Sequence, residues 1–197
     1  DSLYARQCMY PLAYPLDEVV FLHRVAREGG LLLHAAGLAR DDRGRVFTGP
    51  SGAGKTTLTR LMQHHAGLRV LSDDRIVLRP EGSGVRIFGT PWHGEAELSE
   101  AGSGRLVGIH AIQHATGVVE QALSGADAAG ALLGNAFFPA HDPAGSREAL
   151  AFADHVVCGV QVSRLGFARE ERVVQHIWGT SSGDPLVHAR GCGAAAP

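Results

Sequence analysis

Between Gly49 and Met62 the chain reads GPSGAGKTTLTRLM, and no other stretch constrains the fold as much. Gly49, Gly54, Lys55 and Thr56 fall at the spacing GxxxxGK[ST], which serves phosphate only where a strand enters the loop and a helix leaves it. Both flanks comply. RVFT (45–48) reads as a short strand, and about Thr56 to Ala66 reads as a helix. Glycines let backbone N–H groups curl toward phosphate oxygens, and the helix start adds its positive dipole end. Of the 18 lysines and arginines, Lys55 is the only lysine. A compact ammonium enters between phosphate oxygens where a planar guanidinium fits poorly. Gly49, Pro50, Ser51, Gly52, Ala53, Gly54, Lys55, Thr56 and Thr57 therefore form the expected cradle for ATP. Lys55 is directed at its β- and γ-phosphates and Thr56 at Mg²⁺.

The rest of the chain reads as alternating elements. PLDEVVFLHRVAREGG (15–30) predicts a helix with Leu16, Val19, Val20, Val25 and Ala26 near one face, closed by Gly29-Gly30. LLLHAAGLA (31–39) predicts a buried strand that turns at DDRG, and LRVLS (68–72) another strand. RIVLRP and VRIFG flank EGSG as a hairpin. Residues 90–104 read as irregular, 105–114 as strand, 118–137 as helix, 146–155 as a short helix and 156–163 as strand. The Gly-, Ser-, Ala- and Pro-rich stretch 180–197 reads as a loose tail. This predicts one α/β domain over residues 1–197, its core at 15–167, with a mixed sheet and flanking helices.

Composition narrows the partners. A formal net charge of −2 gives no basic excess for nucleic acid or an anionic membrane surface. No apolar run approaches the ~20 residues of a membrane span, and the N-terminal residues do not read as a secretory signal. Cys8, Cys158 and Cys192 form neither a CxxC pair nor a disulfide framework, which predicts a reducing, cytoplasmic setting.

Asp73-Asp74 arrive 18 residues after Lys55, at the predicted C-terminal end of a strand. In open α/β sheets that edge is where ligands bind. One carboxylate there can hold Mg²⁺, and the other can accept or orient the proton of an incoming hydroxyl. Successive strand residues point opposite ways, so the two have separate tasks.

LLLHAAGL, FTGPSGAGKTTLTRL, VLSDD and GTPWHGE, in that order, resemble the catalytic domain of the HPr kinase/phosphorylase family. Within it the likeness is to small stand-alone HPr-kinase-like serine kinases, some of which phosphorylate lasso-peptide precursors. The fold implied is a P-loop kinase domain of the HPr kinase/phosphoenolpyruvate carboxykinase type. The resemblance implies that Asp73 is the base toward an acceptor serine. It also implies that Asp74 serves metal or phosphate, that His34 lies near the transferred phosphate and that Glu95 stands in for a metal-binding glutamate. TPWHGE departs from the family's glutamate–arginine–glycine pattern. The longer phosphoenolpyruvate carboxykinases need further active-site lysines, which this chain lacks. The expected activity is transfer of the ATP γ-phosphate to a serine of a peptide or protein. Small-molecule phosphorylation, or nucleotide sensing without transfer, are the alternatives. Relatives include hexamers, so the resemblance leaves room for a homo-oligomer.

Overall fold

The apolar run after Gly29-Gly30 becomes the central strand of the sheet. In the computed structural model, which describes residues 14–179, β1 (Leu31–Arg40) is buried along nearly its whole length. At residues 31–34 its partners are β4 (Arg75–Glu81) and β8 (Ala136–Phe137), and farther along they are β2 (Arg43–Thr48) and β3 (Arg69–Ser72), all antiparallel. β4 turns into β5 (Gly84–Gly89), and β5 pairs with β6 (Ser103–His114). β6 then runs parallel to β2, so β2, β1, β4, β5 and β6 close into a ring. From β6 the sheet continues through the parallel β9 (Val162–Phe167) to the antiparallel edge strand β7 (Val119–Leu123).

Parallel pairing of β2, β6 and β9 brings their C-terminal ends to one edge. The glycine loop leaves β2 there, beside the ends of β6 and β9. The helices are α1 (Leu16–Arg27), α2 (Lys55–Met62), α3 (Gly125–Leu133), α4 (Pro143–Gly159) and α5 (Arg172–Trp178). Alternation along β1 divides the core between two faces. Leu31, Leu33 and Ala35 pack with Leu132 of α3 and with Phe152 and Val156 of α4. Ala36 and Leu38 pack with Leu58 and Met62 of α2 and with Ile177 of α5. Asp142 caps α4 by accepting the Gly145 N–H at 3.1 Å, and it takes two hydrogen bonds from Arg27 at 2.5 and 2.9 Å. One carboxylate thus ends one helix and ties it to another.

A mixed sheet with flanking helices matches the sequence expectation, and four local readings change. Residues 118–137 form β7, α3 and β8 rather than one helix, since Glu120 and its neighbours pair with β9. The expected strand at 156–163 is helix up to Gly159, because Ala149, Phe152, Ala153 and Val156 form one buried helical stripe that holds the β-branched residues in α4. α5 was not anticipated. On α1 only Val25 and Ala26 are buried. Leu16, Val19 and Val20 are exposed, and Phe21 and Leu22 turn inward against Leu32 and Val77 instead. The expected tail at 180–197, with Cys8 and Cys192, lies outside the described residues. Among the described residues no helix is long and apolar enough to cross a membrane.

A buried polar cluster joins β2, β6, β7, β9 and α5. His110 stacks on Phe47, and its Nδ1 lies 2.9 Å from Ser163 Oγ and 3.0 Å from Glu120 Oε1. Ser163 donates to the same Glu120 oxygen at 2.6 Å, and His176 Nε2 meets the other at 2.6 Å. Burial pushes the His110 imidazole below its ordinary value of 6.5, against the pull of Glu120. Hydrogen bonding, first from His110, holds Glu120 far below the usual carboxylate range against its own burial. Below about 6.5 an unfolded chain takes up a proton that folded His110 refuses. Its contribution to stability is therefore complete above that value and lost as pH falls toward the depressed folded value. Glu120 extends the loss at lower pH, as acidification approaches its own depressed folded value. Melting temperatures measured from pH 8 to 5 are expected to fall with pH, and His110→Gln to flatten the upper part of that curve. An unchanged slope in the variant would contradict this assignment.

Candidate functional site

The turn from β2 into α2 needs backbone that only glycine adopts easily. Gly52 and Gly54 have φ of 79° and 105°, and Gly54 immediately precedes α2. A Cβ on Gly54 would also stand 3.1 Å from the Phe167 ring. The left-handed backbone and the lack of side-chain room together curl the loop over the helix start. Lys55 is 8% exposed. Its ammonium donates to the carbonyls of Gly49 at 2.7 Å and Pro50 at 3.3 Å, so it lies along the inner wall of the loop. Burial lowers the Lys55 pKa, and the Asp74 carboxylate works in the opposite direction.

Asp73 and Asp74 lie in the bend between β3 and β4, and their side chains take different directions. Asp73 is 3% exposed, and its two oxygens accept the backbone N–H groups of Gly94 at 2.7 Å and Ala96 at 2.8 Å. It pins the segment that follows β5. That setting differs from the one expected of a base, since Asp73 is nearly closed off from solvent, whereas the Asp74 side chain is 17% exposed. Asp74 takes the other direction. Its Oδ1 lies 3.1 Å from His34 Nδ1, and its Oδ2 is gripped by Arg75. Arg75 in turn bonds Glu18 of α1 at 3.1 and 3.3 Å. The His34 hydrogen bond first, then the charges of Arg75, His34 and Lys55, hold the Asp74 carboxyl below the usual carboxylate range despite partial burial. His34, Lys55 and Asp74 therefore meet at one edge, and Asp73 serves the adjoining loop.

Two anchoring residues escaped the sequence reading. The buried Ser72 hydroxyl accepts the N–H groups of Asp74 and Arg75 at 3.1 and 3.0 Å and donates to the Trp92 carbonyl at 2.8 Å. A serine before Asp-Asp is the available signal, because such hydroxyls bond backbone N–H groups two and three residues on. His114, at the end of β6, donates from Nε2 to the Gly52 carbonyl at 2.8 Å and braces the glycine loop. No local pattern marks it, as the contact depends on β2–β6 pairing. His114→Ala is expected to weaken phosphate binding several-fold without changing the rate at saturation, since loop order rather than chemistry is lost. Titration calorimetry with tripolyphosphate measures the first effect.

The oxygen donors suit Mg²⁺ better than a metal needing an all-protein cage. Thr56 offers a hydroxyl at the second position of α2, and Asp74 a carboxylate across the edge. Mg²⁺ takes few protein ligands and keeps waters and phosphate oxygens. Glu95 is exposed, and its backbone carbonyl accepts from Arg60 at 3.1 Å. Among the described residues no three His, Cys, Asp or Glu side chains gather into a metal cluster. Beside the loop a cavity of about 650 Å³ opens between Gly49–Ala53, the end of β6 and α3. This edge can hold a phosphate chain, place a cation on it and present an ionised carboxylate beside a histidine.

No family model and no curated protein matches the chain. Among solved structures the chain is similar to the Hpr(Ser) kinase/phosphatase from Coxiella burnetii. The two share 12% identity at a TM-score of 0.40, covering 75% of this chain and 95% of that one. That likeness is distant, and the chemistry of the edge rests on its own residues.

Proposed function

We propose that this chain is an ATP-dependent kinase that transfers the γ-phosphate to a serine hydroxyl of a peptide or protein. The observation that carries the reading is the joint placement of the glycine loop with Lys55 and the pair formed by His34 on the neighbouring strand β1 and Asp74 just before β4. A binding loop alone needs no carboxylate held ionised beside it.

Bound Mg²⁺ and ATP supply a polarised phosphoryl group. Thr56 and Asp74 would hold the ion, Thr56 through its hydroxyl and Asp74 through its carboxylate. Lys55 exchanges the Gly49 and Pro50 carbonyls for phosphate oxygens and, with the loop N–H groups, stabilises charge on the transferred group. Asp74 orients the acceptor hydroxyl and takes its proton late, a role that suits a carboxylate of low pKa because phosphoryl transfer asks chiefly for positioning. His34 holds Asp74 in place and offers a hydrogen-bond donor near the transferred group. Asp73 keeps the 94–96 segment closed over the acceptor side. Incubation with γ-labelled ATP and serine-containing peptides is expected to label the peptide in a Mg²⁺-dependent way. Nucleotide binding with no labelled acceptor of any kind would sink the reading.

A further inference from the structure

The glycine loop accounts for phosphates, whereas the cavity beside it has a different lining. Its walls include the apolar side chains Ile112, Leu123 and Ala131, together with one carboxylate, Asp127, and one guanidinium, Arg164. Its size is that of a site for a small organic molecule, and it is open to solvent on one side. Direction follows from the sheet. At Thr48 the strand entering the loop lies between Ala35 of β1 and Ala111 of β6. His34 and Asp74 stand on the β1 side, and Arg164 on the β6 side, next to Ala111 through β9. A triphosphate with its γ end toward Asp74 leaves its other end pointing to the cavity. Charge orders the cavity itself. Asp127 and Arg164 are both exposed: the carboxylate disfavours phosphate and can accept hydroxyl or N–H donors, whereas the guanidinium attracts an α-phosphate.

We propose, on the reading of the site as a nucleotide site, that this cavity receives the nucleoside half of the nucleotide. Asp127 accepts hydrogen bonds from the ribose hydroxyls, and Ile112, Leu123 and Ala131 border the base. A vicinal diol gives a carboxylate two donors at once, as acidic residues use in other nucleotide sites.

Gly130 of α3 lines the cavity, and a Cβ there would meet nothing within 4 Å. Gly130→Leu therefore adds bulk at the cavity wall from a position with room for its Cβ, and it raises helix propensity. Titration calorimetry would compare Mg²⁺-ATP, 2′,3′-dideoxy-ATP and tripolyphosphate, with melting curves to check the fold. The wild type is expected to bind ATP at least about tenfold more tightly than the dideoxy nucleotide, as loss of hydrogen bonds to a charged acceptor implies. Asp127→Asn should largely erase that difference. Gly130→Leu should weaken ATP at least about tenfold, keep tripolyphosphate affinity and melt no lower than the wild type. ATP and tripolyphosphate binding equally to the wild type, or ATP binding unchanged in both variants, overturns this inference and leaves the phosphate site standing. Failure of the wild type to bind either compound overturns the nucleotide reading as well.

Discussion

Lys55→Arg is expected to lower phosphoryl transfer by about two to three orders of magnitude, the usual result of losing one aligned donor to developing charge. The fold should persist. Lys55 lies on the inner wall of the loop, where its ammonium touches the Gly49 and Pro50 carbonyls at 2.7 and 3.3 Å. A guanidinium keeps the charge, but it is wider and planar, and the space beside the loop backbone admits a compact head. Most of the loss should appear in kcat, because charge attraction to the ground-state phosphates remains. Initial rates across ATP concentrations, with a melting curve for each variant, would measure this. A variant with normal rates would remove Lys55 from the chemistry.

Asp74→Asn and Asp73→Asn are expected to fail in different ways. Asp74→Asn removes the carboxylate that His34 and Arg75 hold ionised. It should cost about 10²- to 10⁴-fold in rate, the range for a positioned acid or base, with little change in ATP affinity. Asp73→Asn replaces an oxygen that accepts a buried backbone N–H with an NH₂ group facing a donor. It should cost roughly 1–3 kcal/mol of stability and loosen the 94–96 segment. Rates and urea melts on both variants separate the roles. If Asp73→Asn silences transfer at full stability while Asp74→Asn remains active, Asp73 is the base after all. A Mg²⁺ titration adds a second distinction, since a sharply raised requirement in Asp74→Asn would make Asp74 a metal ligand.

The sequence carries these features unequally, for physical reasons. The glycine loop is legible because its chemistry leaves almost no freedom in residue type at Gly54, Lys55 and Thr56. Strand alternation leads one to expect different directions for Asp73 and Asp74, and they do differ, although both lie in the bend between β3 and β4. Which of them faces the loop does not follow from alternation, because the answer depends on a segment some twenty residues on (Gly94 and Ala96) that supplies two N–H groups. His114 was hidden for the same reason, its contact with Gly52 spanning 62 residues. Among elements, local patterns locate β1 and the β4–β5 hairpin. They fail at residues 156–159, where valines common in strands complete the buried stripe of a helix. They fail also at Leu16, Val19 and Val20, which share a helical face on paper while the helix meets the sheet through its other end.

A single lysine in the whole sequence, sitting inside the glycine loop, makes the site spectroscopically isolated. Protein grown with ¹⁵N-lysine as the sole labelled residue carries one side-chain nitrogen signal, with no surface ammonium to overlap it. Its shift and exchange rate would follow the departure from the Gly49 and Pro50 carbonyls as a ligand arrives. Amine-directed acyl phosphates have likewise only one side chain to modify. Occupancy of this loop can therefore be followed in the unmutated chain, before any acceptor is known.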